Sequence, residues 1–235
     1  MYISELRLQT RDLAAQCDFY SHLLGIPALS TESNELTLQI GVTRLIFTQA
    51  PADERPVYHF AFNIPPQQFA EAKTWIAQRT PLTLNSAGAD EFFFENWNAH
   101  ALYFYDPAGN MVEFIARHTL EAPTRGSFGA QSLLNISEVG VVAEDVIEAV
   151  RQLQTQLGAP IYQGAGSDMF TPVGDERGLF IVVKRGRIWF PDTGIAAQPA
   201  PLSVTVSEGD TTTTFSGPPY QLHATESTEG TGNKE

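Results

Sequence analysis

The chain has 235 residues, enough for one large domain or two ordinary ones, and its 43% hydrophobic content supports a globular core rather than a disordered chain. A formal net charge of -13 argues against nucleic acid and anionic membrane as partners, because both need basic patches. The lone Cys17 cannot make an internal disulfide, and neither a signal peptide nor an apolar run of membrane-spanning length is visible. A cytoplasmic location is expected.

Residues 3 to 9 alternate, Leu6 and Leu8 to one side and Glu5, Arg7 and Gln9 to the other, as in a strand with one face on a core. Asp12 is placed as a helix N-cap, and Leu13, Cys17, Tyr20 and Leu24 form an apolar stripe that stops at Gly25 and Pro27. Leu36, Leu38 and Ile40 make another alternating strand, and Arg44 to Gln49 a further one. A second unit starts after Pro56. Tyr58, Phe60 and Phe62 face its core, with His59, Ala61 and Asn63 on the other side. Pro65 and Pro66 open a helix with the stripe Phe69, Ala72 and Ile76. Strands follow at Phe92 to Phe94, expected to be buried on both faces, at Ala101 to Tyr105, and at Met111 to Ala116. Asp106-Pro107-Ala108-Gly109-Asn110 joins the last two as a turn.

The opening wording then returns. Ile3-Ser4-Glu5-Leu6 recurs as Ile136-Ser137-Glu138-Val139, Asp12 as Asp145, and Leu24-Gly25-Ile26-Pro27 as Leu157-Gly158-Ala159-Pro160, all with an offset of 133. A repeated small unit is the expected architecture. The division is 1–118 as two paired units, 119–132 as a linker, 133–222 as a third, degenerate unit, and 223–235 as a polar tail too poor in apolar residues to order itself.

The stretches "LQTRDLAAQCDFYSHLLGIP" and "LYFYDPAGNMVEFIAR" resemble the opening and closing segments of the vicinal oxygen chelate superfamily, which includes glyoxalase I, extradiol dioxygenases and bleomycin-resistance proteins. The resemblance is strong over 3–117 and weaker over 133–206. It implies an α+β fold of tandem βαβββ units, the first two paired into a half-open curved sheet around a cavity, and the third C-terminal. It also implies a divalent metal (Mn, Fe, Zn or Ni) held by residues on the first and last strands of the units. On this chain those positions are Glu5, His59 and Glu113, spaced 54 residues apart. Carboxylate, imidazole and carboxylate neutralise a dication and leave positions for water and substrate. The dioxygenases have His where Glu5 stands. The fourth ligand position of glyoxalase I falls nearest Phe47. The third unit keeps Glu138 but has Val182 where Glu113 would be, and so reads as structural.

Each of these residues also has a plainer reading. Glu5 and Arg7 form a surface ion pair, His59 is a core histidine, and Glu113 pairs with His59 without metal. Glu113 and His100 are the candidate proton-transfer groups. Arg7, Asn63, Trp97, Tyr103 and Tyr105 are candidate substrate contacts, although the aromatic belt also reads as core. The expected function is a metal-dependent enzyme (lyase, isomerase or dioxygenase type) on a small oxygen-chelating substrate, aromatic ones included. The alternative is a metal-free sequestration protein of the bleomycin-resistance type. A third unit without a partner leaves an open sheet edge, which suggests a homodimer through that unit or its folding over the other two.

Overall fold

Alternation along the strands is realised as two seven-stranded sheets. The computed structural model describes residues 1–235 except 125, 165, 192, 193, 210, 218–224 and 229–235. The elements are β1 (Tyr2–Thr10), α1 (Leu13–Cys17), β2 (Ala28–Thr31), β3 (Glu35–Ile40), β4 (Thr43–Gln49), β5 (His59–Asn63), α2 (Phe69–Ala77), β6 (Phe92–Phe94), β7 (Ala99–Tyr105) and β8 (Met111–Arg117). They continue with β9 (Asn135–Ala143), α3 (Val146–Leu157), β10 (Phe170–Asp175), β11 (Gly178–Lys184), β12 (Leu202–Glu208), β13 (Thr211–Gly217) and β14 (Thr225–Thr228). One sheet runs β14-β13-β12-β1-β4-β3-β2 and the other β10-β11-β9-β5-β8-β7-β6. The second sheet curls into a half-barrel, so the α+β class and the βαβββ unit are both present.

The repeat is visible in the caps. Asp12 accepts from the Ala15 amide at 2.9 Å, and Asp145 from the Glu148 amide at 3.0 Å, each satisfying a free N–H of the first helical turn. Beyond α1 the helix widens into a π-turn over Asp18–Leu23 that brings Tyr20 inward. Its hydroxyl donates to Asp106 at 2.9 Å and thereby ties the first helix to the β7–β8 turn. One core takes Leu6, Leu8 and Phe47 from the first sheet, Phe60, Phe114 and Phe180 from the second, and Ile76 and Leu153 from α2 and α3. Burial of each such side chain contributes about 1.5–3 kcal/mol. The opposite face of the curled sheet carries a second, smaller apolar cluster that includes Ala61, Tyr103, Ile181 and Trp189.

The pairing of units differs from the expected one. The second unit joins the third, through antiparallel β5 and β9, while the first unit joins the C-terminal hairpin, through antiparallel β1 and β12. The open edge that motivates a homodimer through the third unit is therefore filled by β5. A backbone ladder carries no sequence code of its own, and β1, β5 and β9 share one alternation, so side-chain fit at the seams selects the partner. One seam is at Gly41, with φ +52, whose missing side chain lets the Leu134 carbonyl approach. Thr43 Oγ1 donates to the Ile3 carbonyl at 2.6 Å and accepts from the Ile136 amide at 3.0 Å, bridging the two sheets.

Two smaller expectations also change. β6 is an edge strand, and Phe93 is exposed rather than buried on both faces. Within 223–235, residues Thr225–Thr228 form β14 against β13, and the remainder lies outside the described residues. Among the described residues no helix is long and apolar enough to cross a membrane.

Gly41→Ala would place a Cβ 1.8 Å from the Leu134 carbonyl oxygen, whereas Gly88, with φ +80, faces open space. Left-handed backbone alone costs about 1–2 kcal/mol for alanine. Urea denaturation should show Gly41→Ala less stable than Gly88→Ala by more than about 1 kcal/mol; equal losses would refute the seam.

Candidate metal centre and ligand cavity

Joining β5 to β9 creates one cross-strand row: Tyr103 opposite Glu113, Glu113 beside Ala61, Ala61 opposite Glu138, and Glu138 beside Leu179. Ala61 is small, so two carboxylates meet across it. His59 stands two residues before Ala61 on the same face. Ligand atoms of His59, Glu113 and Glu138 lie within 4.8 Å of one another, and all three residues are buried.

His59 Nδ1 donates to the Met111 carbonyl at 3.1 Å. That bond sets the tautomer: Nε2 carries a lone pair and points at Glu113 Oε2, 3.5 Å away. Two acceptors therefore face each other in a buried site, and Glu113 Oε1 has no hydrogen-bond partner among the described residues. Only a proton or a cation between them resolves that contact. Burial pushes the Glu113 carboxyl well up, reinforced by the Glu138 charge and opposed by Arg117 and the Tyr103 hydroxyl. Burial also raises Glu138, again opposed by Arg117. Burial lowers His59 to about 4, against the Met111 bond and helped by Arg187, so the imidazole is neutral at neutral pH, as a metal ligand must be.

Arg117 is fully buried, and its Nη2 donates to Glu138 Oε1. Its guanidinium sits over Trp97 and Tyr162, 5.3 and 5.6 Å from the ring centres. It neutralises one of the two carboxylates, and its removal would leave Glu138 buried and unpaired at a cost of about 3–5 kcal/mol.

Above the triad opens a cavity of about 450 Å³, walled mainly by Phe94, Trp97, Tyr103, Phe170, Trp189 and Phe190. Trp189 lies 5.2 Å from the His59 ring. Gly140 on β9 admits it, since a Cβ there would meet the indole at 2.8 Å.

The sequence candidates divide. His59, Glu113, Trp97 and Tyr103 line the cavity. Glu5 is not with them: it lies on β1 in the other sheet, paired with Arg44 at 3.1 Å and Arg7 at 3.7 Å. Its surface ion-pair reading is the one realised. Arg7 also pairs with Glu35 at 2.6 Å. Asn63 donates to the Glu176 carbonyl in the β10–β11 turn at 2.9 Å and, across the β5–β9 seam, to Asn135 Oδ1 at 3.3 Å. His100 contacts His118 at 2.7 Å, and Tyr105 is half-buried; neither lines the cavity. The fourth ligand position also shifts. His59 pairs with Met111, two residues before Glu113, so the counterparts two residues on from Arg44 and Leu179 are Ile46 and Ile181, not Phe47 and Val182. Both are apolar.

Glu138, Arg117, Arg187, Trp189 and Phe190 were not among the candidates. The offset of 133 already puts Glu138 at a first-strand ligand position, and Arg117 shares the Glu113 face of its strand. Nothing in the order of residues marks the 187–190 segment as a cavity wall.

No protein-family model matches this chain, and no curated protein does. Solved structures do match. A Bacillus subtilis protein whose dioxygenase assignment is provisional superposes with a TM-score of 0.60 at 18% identity, over 78% of this chain and 63% of that one, so the chain spans under two thirds of its length. A glyoxalase I mutant from Zea mays superposes with a TM-score of 0.55 at 12% identity, over 92% of this chain and 88% of that one. A second Zea mays glyoxalase I mutant gives 0.53 at 13% identity, over 78% and 67%. The chain shares the fold of these glyoxalase I and dioxygenase-type structures.

His59 titrates near 6.5 in an unfolded chain and about 4 here, so between those values the unfolded state binds more protons and stability falls with falling pH. The raised carboxyls act in the opposite sense. In metal-free protein, acidification from pH 6.5 to 4 should remove up to about 3 kcal/mol through His59. His59→Gln should remove that share of the slope in denaturation curves taken across this range; an unchanged slope would mean that His59 charges freely in the fold.

Proposed function

We propose that this protein is a metal-dependent enzyme of glyoxalase or dioxygenase type acting on a small oxygen-chelating substrate, with His59, Glu113 and Glu138 as the metal ligands. The observation that carries this reading is the His59 Nε2–Glu113 Oε2 approach beside an unpartnered Glu113 oxygen, all within ligand distance of Glu138. The donor set of one imidazole and two carboxylates suits a first-row divalent ion such as Mn, Fe, Zn or Ni. Three protein ligands leave positions facing the cavity, and a bound ion would polarise a chelating substrate there as a Lewis acid. The protein's own contribution is to fix the ring through the Met111 bond, to wall the site with Trp189, and to place the Tyr103 hydroxyl against Glu113.

A second reading is a metal-free binding protein that sequesters its ligand. It is favoured by Arg117, which already neutralises Glu138 from within. In that state a proton on Glu113 satisfies His59 Nε2.

Metal analysis by mass spectrometry separates the two. Untagged protein should carry close to one divalent ion per chain, and His59→Ala, Glu113→Ala and Glu138→Ala should each lose it. Glu5→Ala should keep it. Absence of metal after incubation with divalent ions, or loss in Glu5→Ala, would overturn the enzyme reading.

A further inference from the structure

Arg187 is the group in the cavity wall that the metal reading leaves unused. It is half-buried, and its guanidinium lies 5.1 Å from the centre of the Phe170 ring. Its hydrogen bond is a long one, 3.3 Å, to the Ile188 carbonyl. No carboxylate of the described residues lies within ion-pair distance of it, whereas Arg117, Arg7, Arg44 and Arg185 each have one. Its charge reaches the site all the same, because it helps to lower His59. A guanidinium held beside apolar walls, with no counter-ion among the described residues, is a fork of donors matched to a planar anion.

The walls add chemistry. Trp189 packs on the His59 ring, Phe190 meets Tyr103 edge-on at 5.6 Å, and all of these rings line the cavity, an apolar aromatic surface that suits an aromatic ligand. A cavity of about 150 Å³ suffices for benzene, and this one is about 450 Å³, enough for a substituted ring. The acidic floor of Glu113 and Glu138 disfavours a second anionic end there.

We propose that the cavity selects a single-ring aromatic carboxylate, its ring against the walls made by Trp189, Tyr103 and Phe190 and its carboxylate paired with Arg187. This rests on reading the cavity as the substrate site, but it needs no metal.

Benzoate and its neutral isostere benzamide are the probes, titrated into full-length wild type, R187Q and R187K by calorimetry and tryptophan fluorescence, with metal content measured in parallel. Wild type should bind benzoate at least roughly tenfold more tightly than benzamide, the size expected of a charge-assisted pair. R187Q should reduce that ratio to about one by weakening benzoate alone. R187K should keep part of it, and metal content should not change in either variant. Equal binding of the two probes by wild type, no saturable binding of either at millimolar concentration, or a ratio that survives in R187Q would overturn the proposal. A ratio that holds in protein without metal would leave this inference standing while the enzyme reading fails.

Discussion

The antiparallel seam between β5 and β9 is the constraint from which the site follows. It sets Ala61 between Glu113 and Glu138 in one cross-strand row, and an alanine there lets two carboxylates share a space that a larger side chain would fill. It also brings the third unit's Trp189 over the second unit's His59, which roofs the triad. Without that seam, Glu113 would keep His59 and Tyr103 beside it but would lose Glu138 and the charge pair that Glu138 makes with Arg117.

Electrostatics then divides the work among the buried groups. Two carboxylates so near each other cannot both stay charged in a buried site without cations. Arg117, packed against Trp97 and Tyr162, supplies one positive charge from within, aimed at Glu138. Glu113 has no such partner and faces the bare nitrogen of a neutral imidazole. The asymmetry leaves one carboxylate structurally matched and the other available. Arg187 shows the inverse condition: a cation at the wall with no anion among the described residues within ion-pair distance.

The first unit and the C-terminal hairpin build a second sheet whose core face packs behind the curled one. Its polar face holds Glu5, Arg7, Arg44 and Glu35 in ion pairs that are half in solvent, and such pairs contribute little stability. The first unit thus repeats the sequence pattern of a ligand strand without the neighbours that would make a site of it. Thr43, which bonds both β1 and β9, couples the two sheets at the point where they meet.

Sequence alone determined the local structure: the strands by alternation, the helices by Asp12 and Asp145 as caps, the β7–β8 turn by Asp106 to Asn110, and the βαβββ unit by its recurrence at an offset of 133. It also marked His59 and Glu113 as cavity-facing, because period two assigns faces without reference to neighbours. Only the tertiary structure decided which units pair, and with that decision Glu138 replaced Glu5. The first strands of all three units present the same alternation and the same hydrogen-bonding edge, and backbone ladders do not discriminate among such edges. The choice fell to contacts far apart in the chain, such as Gly41 against Leu134 and Asn63 against Glu176. The register places Ile46 rather than Phe47 at the position that corresponds to Glu113, for a related reason. Cross-strand register depends on how the hairpins close, and a slip of one residue turns a side chain to the other face.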